Sequence, residues 1–538
     1  MKHFRIKALG AVVAGLALGV GASTSALAAP KKGGTLKFVV PAEPPSLDGH
    51  KETTFALVHP VRPFYSVLIR VNPDNPSSTT EFVCDVCVGQ VPQPTDGGKV
   101  YTFKIRDDVK FHSGQKLTAQ DVLATYQKII FPAAGVPSAR KAYFSMVESV
   151  TAPDANTVVF KLKYPSGAFI PALAVPFNWI YRKERLDKDI RWYETNIEGS
   201  GPFIFKQREA GAFFKGERNP NYYHKGKPYL DGFEAIFAKQ ESLRAQAIRG
   251  NRAAIEFRGF PPKSRDDLVK ALGKDITVQE SDWNCVLLTT MNHKRKPWDD
   301  VRVRRALTLA IDRWGGSQYL SKIAIVKTVG GIAFPGSPLA ATKAELQQLA
   351  GYWPDINKSR AEARRLLKEA GVDLSKTYIF NNRAVDQPYK IVGTWLIDQW
   401  KQVGLKFEQQ VLPTGPFFDM LRKKKAFDVS VDFNCQSVVN PLVDVSQFIS
   451  DDRSSANYGQ YQDREVDALF DKMNRTGDPA EQRKYMREME KLVVDTHANA
   501  FVTLWWYRII PHRSYVKGWK VSPSHYLNQA LDNVWLEQ

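Results

Sequence analysis

Residues 96–122 read DGGKVYTFKIRDDVKFHSGQKLTAQDV, and this stretch contains the signals that decide the fold. Tyr101, Phe103 and Ile105 alternate with polar residues, and a period of two predicts a strand with one buried face. A serine and a glycine then supply turn chemistry. Thr118, with an acidic residue three positions later, has the form of a capping box. The stretch therefore predicts a strand, a turn and a capped helix.

The turn contains His112 next to Ser113, which raises the question of a nucleophile beside its base. Members of a catalytic triad meet in space, and adjacency in sequence is weak support for one. Neither a G-x-S-x-G elbow nor an H-E-x-x-H motif occurs in the chain. We therefore predict that both side chains bond to backbone within a turn. An exported hydrolase that uses His112, Ser113 and a distant acid is the alternative.

The length and composition predict a large folded protein of mixed architecture. A chain of 538 residues exceeds the size of a single hydrophobic core, so two or three domains are expected. Helix signals recur between the predicted strands: Ser359 is predicted to open a helix that Gly371 closes, and Asp478 with Pro479 to open another. Strands and helices are interspersed along the chain, which favours an α/β fold in more than one lobe.

The N-terminus has the pattern of a secretory signal peptide. Basic residues precede an apolar run at residues 8–20, and the small residues at 26–28 fit a cleavage site. The run is shorter than the ~20 apolar residues that a membrane span needs. We expect residues 1–28 to be removed and the product to be exported in soluble form.

The chain is strongly basic. Its formal net charge of +19 includes three basic residues of the signal segment, which leaves about +16 on the remainder. The basic residues are scattered, and no nucleic-acid-binding motif accompanies them. We expect no nucleic-acid partner, and anionic solutes or membrane surfaces fit the charge better.

Four cysteines are present, and their spacing does not favour a metal site. Cys84 and Cys87 are spaced C-x-x-C in a segment that reads as strand or loop, so an oxidising compartment favours a local disulfide between them. A structural zinc site usually needs four ligands, and no cluster of His or Cys has that spacing. We expect no bound metal and no cofactor.

Several separated segments together resemble one family. The opening stretch contains an F-H-x-G turn and a T-A-x-D-V helix start, and further matching segments follow in order at residues 199–203, 218–234, 297–313, 461–469 and 478–495. This set resembles the extracellular solute-binding proteins of family 5 of bacterial ABC transporters, which include dipeptide-, oligopeptide- and nickel-binding proteins.

The resemblance implies an α/β bilobal periplasmic binding protein of type II, cluster C, with an extra subdomain in lobe I. The implied boundaries are lobe I at 30–70, 71–198 (the extra subdomain), 199–283 and 506–538, and lobe II at 284–505. It also implies a periplasmic monomer without chemistry of its own, which binds a small solute between the lobes and delivers it to a membrane permease. A receptor that signals to a chemosensor is a further alternative.

The resemblance also implies ligand-binding positions. Short-peptide binders of the family hold the peptide carboxylate with an arginine and the amine with an aspartate, and Arg383 falls on the arginine position. Gln436, or else Cys435, falls on the aspartate position, in a loop that also contains Asn434. An anion anchor is thus kept and an amine anchor lost. We therefore expect a small organic acid or acidic conjugate as ligand, and not an ordinary free peptide.

Aromatic residues lie near the inferred crossings between the lobes. Trp283 precedes the first crossing, and Trp505, Trp506 and Tyr507 lie at the second. If Trp506 belongs to the buried face of a strand, then Trp505 and Tyr507 point the other way. We predict that Trp283, Trp505 and Tyr507 line the cleft.

Overall fold

The computed structural model describes residues 29–438 and 440–537, so the predicted signal peptide at residues 1–28 lies outside the described residues. Every helix within the described ranges is too short or too polar to cross a lipid bilayer. The chain folds into two lobes, each built around its own mixed sheet flanked by helices.

The sheet of lobe I joins distant parts of the chain. Its strands, in spatial order, are Thr35–Val40, Gly232–Phe237, Phe213–Arg218 and Phe203–Glu209. The first pair is parallel and the other pairs are antiparallel. Leu36, Phe38 and Val40 are fully buried, as their alternation requires. The N-terminal strand therefore fixes lobe I through a partner about two hundred residues away.

A smaller sheet forms the extra subdomain. Its strands are Val100–Lys104, Thr157–Leu162 and Val147–Asp154 in spatial order, and a short ribbon pairs Ile69–Val71 with Phe82–Cys84. Tyr101 and Phe103 are buried, and the Asp121 carboxylate accepts a hydrogen bond from the Thr118 amide at 2.9 Å. The predicted strand, turn and capped helix are all present.

Lobe II contains a six-stranded sheet. Its strands, in spatial order, are Val326–Thr328, Ala500–Arg513, Ile276–Met291, Val429–Cys435, Thr377–Arg383 and Lys406–Leu412. The last three are mutually parallel and the others pair antiparallel. The carboxyl ends of Val429–Cys435 and Thr377–Arg383 consequently meet at one edge of the sheet.

Two long strands connect the lobes. Ile276–Met291 and Ala500–Arg513 are antiparallel partners, and their register shifts just after the pair Trp283 and Trp506. Beyond that shift, the ribbon joins lobe I: the Phe260 amide donates to the Ile509 carbonyl at 2.9 Å. Both strands run unbroken through this irregularity, and the lobe boundaries at 283/284 and 505/506 stay a prediction.

Helices cover the sheets of both lobes. The α-helices of lobe I are Phe55–Val61, Ala119–Ile130, Phe169–Leu173, Lys183–Lys188, Glu241–Arg249 and Pro262–Leu272. Those of lobe II are Val301–Leu309, Arg313–Leu320, Lys343–Leu346, Ile356–Glu369, Ile391–Lys401, Thr414–Asp419, Pro441–Asp444, Arg464–Arg475 and Pro479–Lys491. The C-terminal segment adds a ribbon of Val516–Lys517 and Trp535–Leu536.

One helix begins earlier than the sequence predicts. The helix Ile356–Glu369 starts at Asp355, whose carboxylate accepts hydrogen bonds from two amides of the first turn. Ser359 instead lies inside the helix, where its hydroxyl donates to the Leu309 carbonyl at 2.7 Å. Gly371 follows the helix with φ of +64°, a conformation that glycine adopts without strain. Asp478 caps its helix as predicted.

Candidate ligand site between the lobes

The edge of the lobe II sheet faces lobe I and holds the predicted ligand-binding positions. Arg383 ends one parallel strand, and the segment from Asp432 to Gln436 ends its neighbour. Arg383 and Gln436 are fully buried, and Asn434 is nearly so. Polar side chains that are buried at a sheet edge between two lobes need partners there.

Arg383 contacts both lobes. Its Nη2 donates to Thr54 Oγ1 of lobe I and to Thr414 Oγ1 of lobe II, each at 3.2 Å. Its Nε and Nη1 have no hydrogen-bond partner within the described part of the chain. A guanidinium carries five N–H donors in one plane, so Arg383 keeps donors suited to a carboxylate.

Aromatic rings surround Arg383. Its guanidinium carbon lies 5.1 Å from the ring centre of Phe418, 5.3 Å from Phe55, 5.4 Å from Tyr389 and 5.7 Å from Phe433. These rings interact with the faces of the guanidinium and exclude water from its edge. Electrostatic attraction to an anion is stronger in such a poorly hydrated place.

A second buried arginine, Arg258, lies on the lobe I side. It is fully buried, and its guanidinium carbon is 4.9 Å from the ring centre of Phe55 and 5.1 Å from Trp506. Burial lowers the pKa of Arg258 to about 10, so the side chain remains charged at neutral pH. Sequence reasoning missed Arg258, because no local pattern separates it from the other basic residues.

The end of the strand Val429–Cys435 and the residue after it present further polar groups, and Asn434 lies in this strand and not in a loop as the sequence predicted. Burial raises the pKa of Asp432 to about 6, while the positive charges of Arg383 and Arg422 oppose that rise. Asp432 Oδ1, Asn434 Nδ2 and both side-chain heteroatoms of Gln436 lack a partner among the described residues. The position inferred for an amine-binding aspartate thus presents a neutral amide in a dry environment.

Cys435 does not have a free thiol. It forms a disulfide with Cys285, its register partner on the neighbouring strand. Cys435, the alternative to Gln436 at the aspartate position, lines the cavity between the lobes with its sulfur held in this bond, and its part in ligand binding stays a prediction. His525 Nδ1 lies 3.5 Å from Cys285 Sγ, but sulfurs joined in a disulfide are not thiolate ligands for a metal. Cys84 and Cys87 form a second disulfide.

The aromatic residues at the hinge face differently from the prediction. Trp505 packs inside lobe II, where its Nε1 donates to the Gly331 carbonyl at 3.0 Å. Tyr507 is partly exposed, and its hydroxyl donates to Glu280 at 3.1 Å. The residue that turns toward Arg258 is Trp506, whose Nε1 has no partner in the described ranges.

The reason for that difference is that the strand Ala500–Arg513 is buried on both faces. Alternation between apolar and polar positions then gives no information about which face meets the cleft. Trp283 is fully buried, with its ring centre 4.9 Å from that of Trp506, and its Nε1 donates to His525 Nδ1 at 2.9 Å. Its place in the cleft wall stays a prediction.

His112 and Ser113 do not form a nucleophile and base pair. Ser113 donates to the Glu198 carboxylate, and His112 Nε2 donates to the Gly201 carbonyl at 3.1 Å. Burial lowers the pKa of His112 to about 4, so its ring is neutral at physiological pH. Both side chains stabilise a turn in lobe I, away from the aromatic rings around Arg383.

The lobes are closed on each other. Arg422 of lobe II forms an ion pair with Glu52 of lobe I at 3.0 Å, and Ser455 donates to the Ser138 carbonyl at 3.1 Å. A cavity of about 40 Å³ lies between the lobes beside Asp432 and Asn434. This cavity is lined from lobe I by Thr53 and Arg140 and from lobe II by Asp432, Asn434 and Tyr458, so residues of both lobes meet there.

Comparisons with known proteins identify the family and the fold. Residues 90–456 match the family described as bacterial extracellular solute-binding proteins, family 5 Middle. Di/tripeptide-binding protein 2 of Pseudomonas aeruginosa (strain UCBPP-PA14) is 32% identical over 303 residues, which is 51% of this chain and 53% of the relative. The match therefore spans about half the length of that relative. The oligopeptide-binding protein AppA of Bacillus subtilis (strain 168) is 26% identical over 74% of this chain and 73% of its own.

Solved structures show the same fold. The binding protein AgaA from A. tumefaciens R10, in complex with agropinic acid, superposes with a TM-score of 0.81 at 21% identity, over 94% of this chain and 99% of that one. The protein DppA from Helicobacter pylori, in complex with the peptide STSA, gives a TM-score of 0.79 at 19% identity, with the same coverage. The chain therefore belongs to family 5 of the bacterial extracellular solute-binding proteins, which bind solutes and are not enzymes.

Proposed function

We propose that this chain is the periplasmic substrate-binding component of an ABC importer, and that it closes over a small solute whose carboxylate binds Arg383. The observation that carries the proposal is the buried guanidinium of Arg383, which contacts both lobes and keeps two nitrogens without partners. A relative of this chain, 24% identical over 82% of it, is the periplasmic oligopeptide-binding protein OppA of Salmonella typhimurium. The partner would be a membrane permease that recognises the closed form of a monomer.

Closure follows from contacts that exist only when the lobes meet. The bond from Arg383 to Thr54 and the ion pair between Arg422 and Glu52 both cross the cleft. A solute that adds further contacts to both lobes binds the closed form better than the open form. Its differential affinity for the two forms sets how far closure is favoured.

The carboxylate specificity follows from charge and hydration. A charge-assisted pair between a guanidinium and a carboxylate contributes about 1.5–3 kcal/mol net. An ammonium group buried beside Gln436 would lack a carboxylate there, and burying an unpaired charge costs several kcal/mol. The nearby Asp432 carboxylate already faces the positive charges of Arg383 and Arg422. Ordinary free peptides are therefore disfavoured.

Calorimetry with carboxylates and with di- and tripeptides tests the proposal. We expect Arg383→Ala to weaken carboxylate binding by about tenfold or more, since ~1.4 kcal/mol corresponds to one decade of affinity. Gln436→Asp should weaken acids and improve peptides. Arg208→Ala is the matched control, because Arg208 also lies over a ring but is exposed. Tight binding of unmodified peptides by the wild-type protein, or full affinity in Arg383→Ala, would contradict the carboxylate assignment.

A further inference from the structure

Arg258 has the properties of a second anion-binding group, and it lies opposite Arg383. We infer that the solute carries two acidic groups, one held by Arg258 of lobe I and the other by Arg383 of lobe II. This inference rests on the proposed function and narrows its substrate class to compact dicarboxylates and acidic conjugates.

The first observation is that no acceptor has hydrogen-bond geometry with Arg258. Nε, Nη1 and Nη2 are all buried without such a partner among residues 29–438 and 440–537, and the Tyr389 hydroxyl interacts with the guanidinium electrostatically, without that geometry. Buried guanidinium groups almost always donate to carbonyls or carboxylates, because leaving several N–H groups unpaired is costly. A ligand with an anionic oxygen would satisfy these donors.

The second observation is that the neighbouring acid is already engaged. Glu256 precedes Arg258 by two residues, but its carboxylate accepts from Arg244 Nε at 3.2 Å and from the Gly259 amide at 3.2 Å. Arg244 donates in addition to the carbonyls of Ala238 and Lys239. The counter-charge within lobe I is therefore directed to Arg244, and Arg258 remains available on the cleft side.

Aromatic stacking orients Arg258 but does not satisfy it. The guanidinium lies over or beside the rings of Phe55, Trp283, Tyr389 and Trp506 at 4.9 to 5.9 Å. Rings interact with the faces of a guanidinium, whereas its N–H donors point outward in the plane. The rings thus hold the group in a fixed orientation with its edge free, as a binding group requires.

The two arginines share two aromatic neighbours, one from each lobe. Phe55 lies 4.9 Å from Arg258 and 5.3 Å from Arg383, and Tyr389 lies 5.9 Å and 5.4 Å from them. The Tyr389 hydroxyl is buried without a partner in the described chain. Since one arginine comes from each lobe, closure brings two like charges together. A solute with two acidic groups neutralises both arginines and removes their repulsion. Binding of such a solute therefore favours the closed form.

Uncharged groups complete the site. The side-chain amides of Asn284, Asn434 and Gln436 are buried and have atoms without partners in the part of the chain that the structure describes. Amides donate and accept, so they fit hydroxyl or amide groups placed between two acids. The solute class is therefore a short dicarboxylate, with or without polar substituents, or an acidic amino-acid conjugate.

Matched pairs of probes test the inference. Succinate, glutarate, adipate and N-succinyl amino acids would each be compared with the half-amide of the same skeleton by calorimetry. The proteins are the wild type, Arg258→Met, Arg383→Met and the exposed-arginine control Arg208→Met. We expect the best dicarboxylate to lose about tenfold or more in affinity on conversion to its half-amide. Arg258→Met should cause a similar loss for the dicarboxylate and a much smaller one for the half-amide.

Two further measurements test closure of the lobes and the identity of the solute. Small-angle scattering should show closure of the wild-type protein by a dicarboxylate, and mass spectrometry should find two ionisable acids in the solute retained by protein from its native periplasm. A retained solute with one acid or none, half-amides that bind as tightly as diacids, or full diacid affinity in Arg258→Met would overturn the inference and leave the importer function standing. No retained solute, and no closure with any probe or peptide, would overturn both.

Discussion

Arg313 in the interior of lobe II and Arg258 at the cleft are both fully buried, yet their surroundings differ. Arg313 donates to the carbonyls of Val502, Thr308 and Gly351 at 2.7–3.2 Å, and to the Thr308 hydroxyl at 2.9 Å. Arg258 has aromatic neighbours and no acceptor within the described residues. Rings also flank Arg313, at 4.5 Å for Tyr352 and 5.6 Å for Phe501, so the two arginines differ in their acceptors and not in their rings. The arginine that donates to main-chain carbonyls is structural, and the one without such acceptors is available for a ligand.

Replacement of Arg313, the arginine with main-chain acceptors, should have the largest effect on stability. Arg313→Met leaves the carbonyls of Val502 and Gly351 without a donor, so we expect the free energy of unfolding to fall by at least ~3 kcal/mol. Urea denaturation measures this change against the exposed control Arg208→Met. If the free energy of unfolding falls less in Arg313→Met than in the control, hydrogen bonds to main-chain carbonyls do not identify an arginine that stabilises the fold.

Replacement of Arg258, the arginine without such acceptors, should not destabilise the ligand-free protein. Arg258→Met removes a buried charge that has no acceptor in the described chain, so the unfolding free energy without ligand should stay constant or rise by about 1 kcal/mol. The same urea titration, made in ligand-free buffer, gives the value. Destabilisation as large as that of Arg313→Met would mean that stacking alone holds lobe I together at this point.

Protonation of Asp432 sharpens the comparison by changing the charge of the site. Burial raises the pKa of Asp432 to about 6 from an ordinary value near 3.8, so the neutral form predominates below pH 6 and the carboxylate above it. The fully ionised dicarboxylate should therefore bind more tightly at pH 5 than at pH 7, by about threefold to tenfold. Affinities are expressed per fully ionised glutarate for every protein, because its second carboxyl is partly protonated at pH 5. Glutarate calorimetry at both pH values measures the change.

The control for this pH dependence is Asp432→Asn, which should bind glutarate equally at pH 5 and pH 7. A slope that persists in this variant would assign the effect to another group. His50, His59 and His293 are poor candidates, because burial lowers their pKa values to about 3. The same raised pKa means that the folded protein binds this proton more tightly than the unfolded chain. Ionisation of Asp432 should therefore lower the free energy of unfolding as pH rises from about 4 to about 6. The Asp432→Asn variant should lack this part of the pH dependence.

The smallest effect is expected at the turn that contains His112 and Ser113. Ser113→Ala removes one donor to Glu198, which retains its ion pairs with Arg182 and Arg185, so stability should fall by only about 1 kcal/mol. Ligand affinity should not change, and no hydrolysis of ester or peptide substrates should be detected before or after the substitution. Turnover that disappears in Ser113→Ala would restore a catalytic role.

Local features of the fold could be predicted from the sequence because short-range physics dictates them. The alternation of Tyr101 and Phe103 and the capping box at Thr118 involve residues within a few positions of each other. Arg383 could be located because it ends a strand within a family pattern, and the structure buries it at the cleft. Its role with a ligand stays a prediction.

Other parts depend on contacts between distant segments, and no local pattern encodes them. The partner of Cys285 lies 150 residues away on another strand. The orientation of Trp505 and Trp506 could not be predicted because both faces of their strand are buried. Arg258 can be told apart from other arginines only in the folded structure, where Glu256 accepts from Arg244 and aromatic rings surround Arg258.

The disulfide between Cys285 and Cys435 has a practical consequence for anyone who prepares this protein. It pins two strands together directly beside Gln436, and such bonds form in oxidising compartments and not in a reducing cytosol. The strand end that carries Asn434 and Gln436 is therefore covalently tethered only where this bond has formed. Affinities should accordingly be measured on protein in which the disulfide is shown to be intact.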